Sequence, residues 1–353
     1  MKREGASARR VLVIVTPNFN LAATIGFLDP FRASNYLDGS ILFRWEIASA
    51  AGGEVTASNG ISLRTQTLRE TGNLAPDIVV VCSSWAPEAY NSAPLHSALQ
   101  RWARAGVTVG ALDTGAFILA EAGLLKGRRA TTHYEHIDSL KELYPETDVA
   151  EDLFVFDDRI VTCCGGSAAM DCALHLIRRM HGDSLANGAA RYLFHQSLRP
   201  AGASQNPGAL EPLGSTAPGV LKRAIKMMEE NLEDALSIPQ LCRRVKLSQR
   251  QLDRLFERFV RKPPVLYYRD IRLDRARSLV TQTDMRLSEV AVASGFSNQA
   301  HFSRAYRERF GLPPRRDRVE GRVPFEFRAW PMHHKKETAG RRSPRVTKQI
   351  AAK

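Results

Sequence analysis

The sequence predicts an α/β domain, built as a mainly parallel sheet with helices on both faces, followed by an all-α domain holding two helix-turn-helix units. Three observations carry this. Over roughly the first 185 residues, short apolar, β-rich runs alternate with helical stretches. Between Ser237 and Gly311 a pattern of two short helices joined by a tight turn occurs twice, about fifty residues apart. The charge also divides: residues 1–200 hold 19 Lys and Arg against 21 Asp and Glu, whereas residues 201–353 hold 31 against 16, in a chain of net charge +13.

Taken in order, Val11–Val15, Trp45–Ala48, Ile78–Cys82 and Val107–Leu112 are nearly continuous apolar runs, as strands covered on both faces require. Leu21–Tyr36 and Leu95–Ala105 read as helices between them. Phe154–Phe156 and Ile160–Thr162 flank Asp157-Asp158 and read as a β-hairpin. Ser167–Met180 follows as a helix, with Ala168, Ala169, Cys172, Ala173 and Leu176 available to pack. From Arg199 to Pro218 the chain is rich in Pro, Gly and small residues, the composition of a linker. Helices then dominate to about Phe310, and the stretch from Val323 on is basic and aperiodic. The expected division is a folded α/β domain over 1–198, a linker over 199–218, a helical domain over 219–318 and a disordered basic tail over 319–353.

Composition bounds the function. An apolar content of 44% is enough to fill real cores. The five cysteines, Cys82, Cys163, Cys164, Cys172 and Cys242, are odd in number and sit mostly in apolar runs, which fits reduced, buried thiols rather than a disulfide framework. Val11–Val15 is too short for a signal-peptide core, and no apolar stretch approaches membrane-spanning length. A cytoplasmic protein with no membrane partner is expected. The strongly basic second half suits a nucleic-acid partner, although a solvated tail would give the same sign.

In the first helix-turn-helix unit, Ser237 and Gln240 have the spacing of a capping box, with Pro239 tolerated in the first turn, and Ser248 and Gln251 repeat the device. Leu252, Leu255, Phe256 and Phe259 fall on one stripe, leaving Gln249, Arg250 and Arg254 on the opposite face. In the second unit Gly295-Phe296 makes the turn and Ser297 or Asn298 caps the helix. Phe302, Tyr306 and Phe310 then face inward, and Gln299, His301 and Arg304 outward. Gln and Arg near the start of an exposed helix are what base-edge readout needs, since Arg pairs with guanine and Gln with adenine. One exposed arginine is often only a solvated charge. Two matched scaffolds in a basic half point to double-stranded DNA, with Arg254 and Arg304 suited to phosphate contacts. Val265–Val280, a helix of about 24 Å, would hold both units on one face of the duplex.

This half resembles the AraC/XylS-type regulators over about residues 220–318. The matching stretches are Leu252-Asp-Arg-Leu-Phe256, Tyr268 through Leu279, Gly295-Phe296 and Phe302-Ser-Arg-Ala-Tyr-Arg-Glu-Arg-Phe-Gly311. Two positions depart: Pro313 stands where the family usually has Ser or Thr, and Asp317 where it usually has Tyr. Both changes weaken the expected end of the fold, the first at a helix cap and the second at an aromatic anchor.

The first half carries Gly110-Ala-Leu-Asp-Thr-Gly-Ala-Phe117 and Gly165-Gly-Ser-Ala-Ala-Met-Asp171 and resembles the ThiJ/PfpI domains, of flavodoxin-like, class I glutamine-amidotransferase-like fold. Joined to the AraC-type half, it gives a GlxA-like architecture. The resemblance implies a sharp elbow at the sheet edge carrying a nucleophilic Cys, with an acidic residue near the first helix supporting it. Here the elbow residue is Asp113, and the acidic match is Asp29. A carboxylate cannot replace a thiolate in amide or hemithioacetal chemistry, so a pocket without its catalysis is expected.

Asp113 at a helix N-terminus is in part satisfied by backbone N–H groups. The sharper reading places it against a cationic effector, with Thr114 beside it, Trp85, Phe117 and Tyr134 as aromatic surface, and His133 and Thr132 for an effector carboxylate. The elbow resembles GlxA-like regulators that respond to quaternary ammonium compounds such as betaine or carnitine, or to arginine. His133 and His136 are three apart but no further ligand completes a metal site, and neither metal nor cofactor is expected. The sequence therefore reads as a transcription regulator, activation being implied by the resemblance, with promoter DNA, a small effector, RNA polymerase and a second copy of the chain as partners. The alternatives are an amidase- or glyoxalase-like enzyme with a DNA-binding appendage, and an architectural DNA binder without a ligand.

Overall fold

The computed structural model describes residues 8–71, 75–85, 87–90, 92–205 and 217–321. Positions 206–216 of the expected linker, and the expected tail beyond Gly321, lie outside the described residues. The first half runs β1 (Arg9–Val15), α1 (Leu21–Asp38), β2 (Phe43–Ser49), β3 (Gly53–Thr56), β4 (Ser62–Thr67), α2 (Leu68–Thr71), β5 (Ile78–Cys82), α3 (Ala93–Arg104), β6 (Thr108–Leu112), α4 (Gly115–Glu121), β7 (Arg129–Ala130), α5 (Ile137–Leu143), β8 (Asp148–Val149), β9 (Phe154–Asp157), β10 (Ile160–Cys163), α6 (Ala168–His181) and α7 (Asp183–Tyr192).

Eight strands form one sheet in the order β3-β4-β2-β1-β5-β6-β10-β9. All neighbours from β4 to β10 are parallel, and β3 and β9 add antiparallel edges. The two faces follow from the period of two along a strand. Val11, Val13 and Val15 of β1 pack with Phe27 and Phe31 of α1 and with Cys172 and Leu176 of α6. Leu12 and Ile14 point the other way, into a second core with Leu95, Leu99 and Trp102 of α3 and Ile118 of α4. The strand order reverses between β1 and β5, and in open α/β sheets ligands bind beyond the carboxyl ends of the strands at such a point.

The helical half comprises α8 (Gly219–Glu229), α9 (Ile238–Val245), α10 (Gln249–Phe259), α11 (Pro264–Gln282), α12 (Leu287–Ala293), α13 (Gln299–Phe310) and α14 (Pro314–Gly321). Leu221, Ile225 and Met228 of α8 close one core over Leu241, Leu252, Phe256 and Tyr268. A second core joins Leu273, Ala276 and Val280 to Val290, Phe296, Phe302 and Tyr306. Helix α11, 19 residues and about 28 Å long, thus belongs to both cores and exceeds the expected Val265–Val280 at each end.

At the C-terminal end the structure corrects the expected weakness. Helix α14 forms, and Asp317 is fully buried, accepting hydrogen bonds from the Tyr306 hydroxyl at 2.8 Å and Arg277 Nε at 3.0 Å. An ionic anchor stands in place of an aromatic one. Arg318 donates to the carbonyls of Val280 at 3.1 Å and Met285 at 2.5 Å, and so caps the end of α11. No helix among the described residues is long and apolar enough to cross a membrane.

Candidate functional site

Strand β6 delivers Asp113 into a turn with φ +59°, and α4 begins two residues later. Such a left-handed, non-glycine residue is strained, and here the surroundings fix it. Its N–H donates to the Cys163 carbonyl at 2.9 Å, and its carbonyl accepts the Thr132 hydroxyl at 2.9 Å. The two flanking glycines are obligatory for packing. A Cβ on Gly115 would lie 2.2 Å from the Val81 carbonyl oxygen, and one on Gly165 would lie 2.9 Å from Asp113 Cβ.

The Asp113 carboxylate is 4% exposed and accepts a 2.7 Å hydrogen bond from Asn20 Nδ2. Asn20 also caps α1, its Oδ1 accepting from the Ala23 N–H at 3.0 Å, so one side chain fixes both helix and carboxylate. Burial pushes the Asp113 carboxyl up to about 6, against the opposing pull of the His133 charge, the Asn20 bond and the Thr114 N–H. Around it lie the ends of β1 and β5, where the Thr16 hydroxyl donates to Ser83 Oγ at 2.8 Å. The assembly is a buried, ionisable acceptor among polar side chains at the carboxyl ends of the strands.

The expected pocket residues divide. Trp85 and Tyr134 are 39% and 52% exposed, and the His133 and Tyr134 rings lie 4.5 Å apart. These three reach solvent. Phe117 corrects the reading of an aromatic cage: it is 5% exposed, in the core, edge-on to His136 at 5.9 Å. Thr114 is buried, and its hydroxyl donates to the Ser84 carbonyl, holding the segment before Trp85. Asp29 is not the elbow's partner. It lies nine residues further along α1 than Asn20 and pairs with Arg32 at 2.5 Å on the surface.

All five cysteines are buried and free of disulfides. Burial raises Cys82 to about 12 and pushes Cys163 well up, while Cys163 and burial together raise Cys164, so none of these three is poised as a thiolate. His136 is also buried, pushed down to about 3 chiefly by desolvation, and its Nδ1 finds no partner among the described residues. Among those residues no cluster of three His, Cys, Asp or Glu could hold a metal ion.

In the helical half both first-unit helices carry complete capping boxes. Ser237 N–H donates to Gln240 Oε1 and Ser248 N–H to Gln251 Oε1, each at 2.8 Å. In the second unit Asn298 rather than Ser297 caps α13, accepting from the Ala300 and His301 N–H groups at 2.7 and 3.2 Å. Gln249, Arg250 and Arg254 are exposed on α10, and Gln299, His301 and Arg304 on α13. Phe302 and Tyr306 are buried behind the latter, with Phe310 half-buried. Two polar, cation-bearing helix faces are therefore presented from one rigid connector.

The sequence profile of the DJ-1/PfpI family matches residues 9–179, and that of a helix-turn-helix domain matches residues 241–319. The HTH-type transcriptional regulator CdhR of Pseudomonas aeruginosa is 36% identical over 310 residues, covering 87% of this chain and 90% of its own. GbdR of the same species is 35% identical over 305 residues, covering 86% and 83%. GlxA of Rhizobium meliloti is 33% identical over 312 residues, covering 88% and 96%.

Proposed function

The chain belongs to the HTH-type transcriptional regulators that join a DJ-1/PfpI domain to an AraC-type reader, and from that premise we propose that its first half senses a small organic cation. It is a regulator and not an amidase- or glyoxalase-like enzyme: the elbow carries a carboxylate where such chemistry needs a thiolate, and its relatives are regulators. The observation that carries the sensor reading is Asp113, a buried carboxylate held by Asn20 and acted on by the His133 charge, with Tyr134 stacked beside His133. A trimethylammonium or guanidinium group beside it meets one negative charge and aromatic faces from Tyr134 and Trp85. A carboxylate on the same molecule would face His133. Quaternary ammonium compounds such as betaine or carnitine, and arginine, have this chemistry.

In this reading residues 1–198 are the sensor, 199–218 the linker, 219–318 the reader and 319–353 a basic tail adding phosphate attraction. Gln249, Arg250 and Arg254 serve one half-site of a promoter, and Gln299, His301 and Arg304 the next, some by base edges and some by phosphates. The regulator works in the cytoplasm as a homodimer and activates by recruiting RNA polymerase. Support for the dimer is an apolar groove on α1 and α7, where Leu37 and Tyr192 are partly exposed and Phe194 is 93% exposed.

The carboxyl of Asp113 sets a pH dependence. Its folded value of about 6 lies above the ordinary 3.8, so the folded chain holds this proton more tightly than the unfolded chain. Stability therefore falls as pH rises from about 4 through about 6, by roughly 3 kcal/mol, and Asp113→Asn flattens that window. Thermal-shift titration with glycine betaine, dimethylglycine, carnitine and arginine tests the sensor. Above pH 6 a cation raises the wild-type midpoint and leaves Asp113→Ala unmoved. A shift that survives in Asp113→Ala would keep the sensor and remove Asp113 from its site, and silence across the panel would overturn the cation reading.

A further inference from the structure

One short segment, Thr131–Leu143, touches both the elbow and the DNA-reading half. At its start the Thr132 hydroxyl donates to the Asp113 carbonyl at 2.9 Å, and the Thr131 N–H donates to Thr162 Oγ1 at 2.8 Å. Its middle supplies His133 and Tyr134, and buried His136 packs edge-on against Phe117 in the first turn of α4. Its end is α5, which lies against the connector α11. There Ser139 Oγ donates to Gln282 Oε1 at 2.6 Å, and Asp138 sits 3.8 Å from Arg275. Arg275 and Gln282 are seven residues, about two turns, apart and so share a face of α11.

The same segment also holds the start of the linker. Residues 199–205, flexible by composition, are docked on the sensor. Arg199 donates to buried Asp171 at 2.6 Å, and the Leu153 N–H donates to the Ala203 carbonyl at 2.7 Å. Gln205 Nε2 lies 2.8 Å from the Thr132 carbonyl, 2.9 Å from Thr131 Oγ1 and 3.0 Å from the Asp152 carbonyl. One amide thus grips the backbone that grips the elbow.

We propose that Thr131–Leu143 is the transmission element between effector pocket and DNA reader, with Gln205 as the positioning residue that keeps it docked. The two states are the docked one, in which α5 holds α11 and Gln205 holds Thr132, and an undocked one in which both contacts are lost. An effector bound between Asp113 and His133 displaces the Thr132–Tyr134 backbone and favours the undocked state. This rests on the effector reading above, since it names the regulation of that same pocket.

Hydrogen exchange of the full chain, followed peptide by peptide, tests it without knowing the effector or promoter. Gln205→Ala, and separately Thr132→Val, should speed exchange in α5 and in the last turns of α11 on the order of tenfold, with α10 and α13 unchanged. Thr132→Ser keeps the hydroxyl and should behave as wild type, which excludes a general loosening. If Thr132→Val fails to fold, Gln205→Ala on the sensor surface still gives the answer. Faster exchange confined to residues 131–134, with α11 as protected as before, would overturn the proposal. Glycine betaine, carnitine and arginine form a separate arm. Variants that loosen α11 while no cation binds support the transmission element and refute the cation. A cation that shifts the midpoint while the variants leave α11 unmoved does the reverse.

Discussion

The two helix-turn-helix units share a scaffold and a connector, yet different forces hold them. The first is secured by apolar packing under α8 and by two capping boxes, and Lys246 takes the left-handed turn with φ +58°. Its polar ties to α11 include a hydroxyl, Tyr268 donating to the Asn231 carbonyl and accepting the Leu236 N–H, and the pair Lys262–Asp270. The second is pinned by cations. Arg272 lies 4.5 Å over the Phe296 ring and donates to the carbonyls of Ser294 and Gly295 at 3.0 and 2.7 Å. Arg309 grips Asp274 at 2.6 Å and Asp270 at 3.0 Å, and Arg277 meets buried Asp317. Its turn residue, Gly295, has φ +72° and a Cβ position 2.5 Å from the Leu232 carbonyl oxygen. An apolar attachment degrades gradually when trimmed. An attachment built from buried charge and one crowded glycine fails at single positions.

Substitutions of three kinds sharpen that contrast. Gly295→Ala adds both a steric clash and a disfavoured φ, and should cost roughly 4 kcal/mol or more. Urea unfolding would show it, with α12 and α13 losing hydrogen-exchange protection before α9 and α10. Equal loss in both units would break the distinction. Asp317→Ala leaves Arg277 and the Tyr306 hydroxyl without their buried carboxylate, for about 3 kcal/mol. The loss should be smaller when Arg277→Met is made with it, as a double-mutant cycle would measure. The smallest effects belong to the exposed faces. Gln249→Ala and Gln299→Ala should each cost about 1–3 kcal/mol of affinity for a duplex selected from random sequence, with no change in melting temperature. Relaxed base preference at separate positions of that duplex would assign one reader to each.

Which features could be read from the chain depends on how local their causes are. The spacing Ser248 to Gln251 announces its capping box, and Ile78–Cys82 is a buried strand because nothing in it is polar. The hairpin of β3 and β4 gave no such signal, since its sequence is largely polar and exposed. The elbow was visible as a strand running into Asp113, but its partner was not. Asn20 and Asp113 lie 93 residues apart, and sequence order favoured Asp29, which the fold turns to the surface. Phe117 has a cage residue's chemistry and a core residue's position. The stretch 199–205 has a linker's composition, yet distant partners such as Asp171 and Thr132 tie it down.

The burial of every native thiol has a practical side. With Cys82, Cys163, Cys164, Cys172 and Cys242 all enclosed, the folded protein is silent toward maleimides and other thiol-selective labels. A single cysteine introduced as Glu135→Cys, at an exposed side chain of the segment that follows the elbow, would then be the one position a fluorophore takes. Its emission would report rearrangement of that segment in real time, in solution and on DNA.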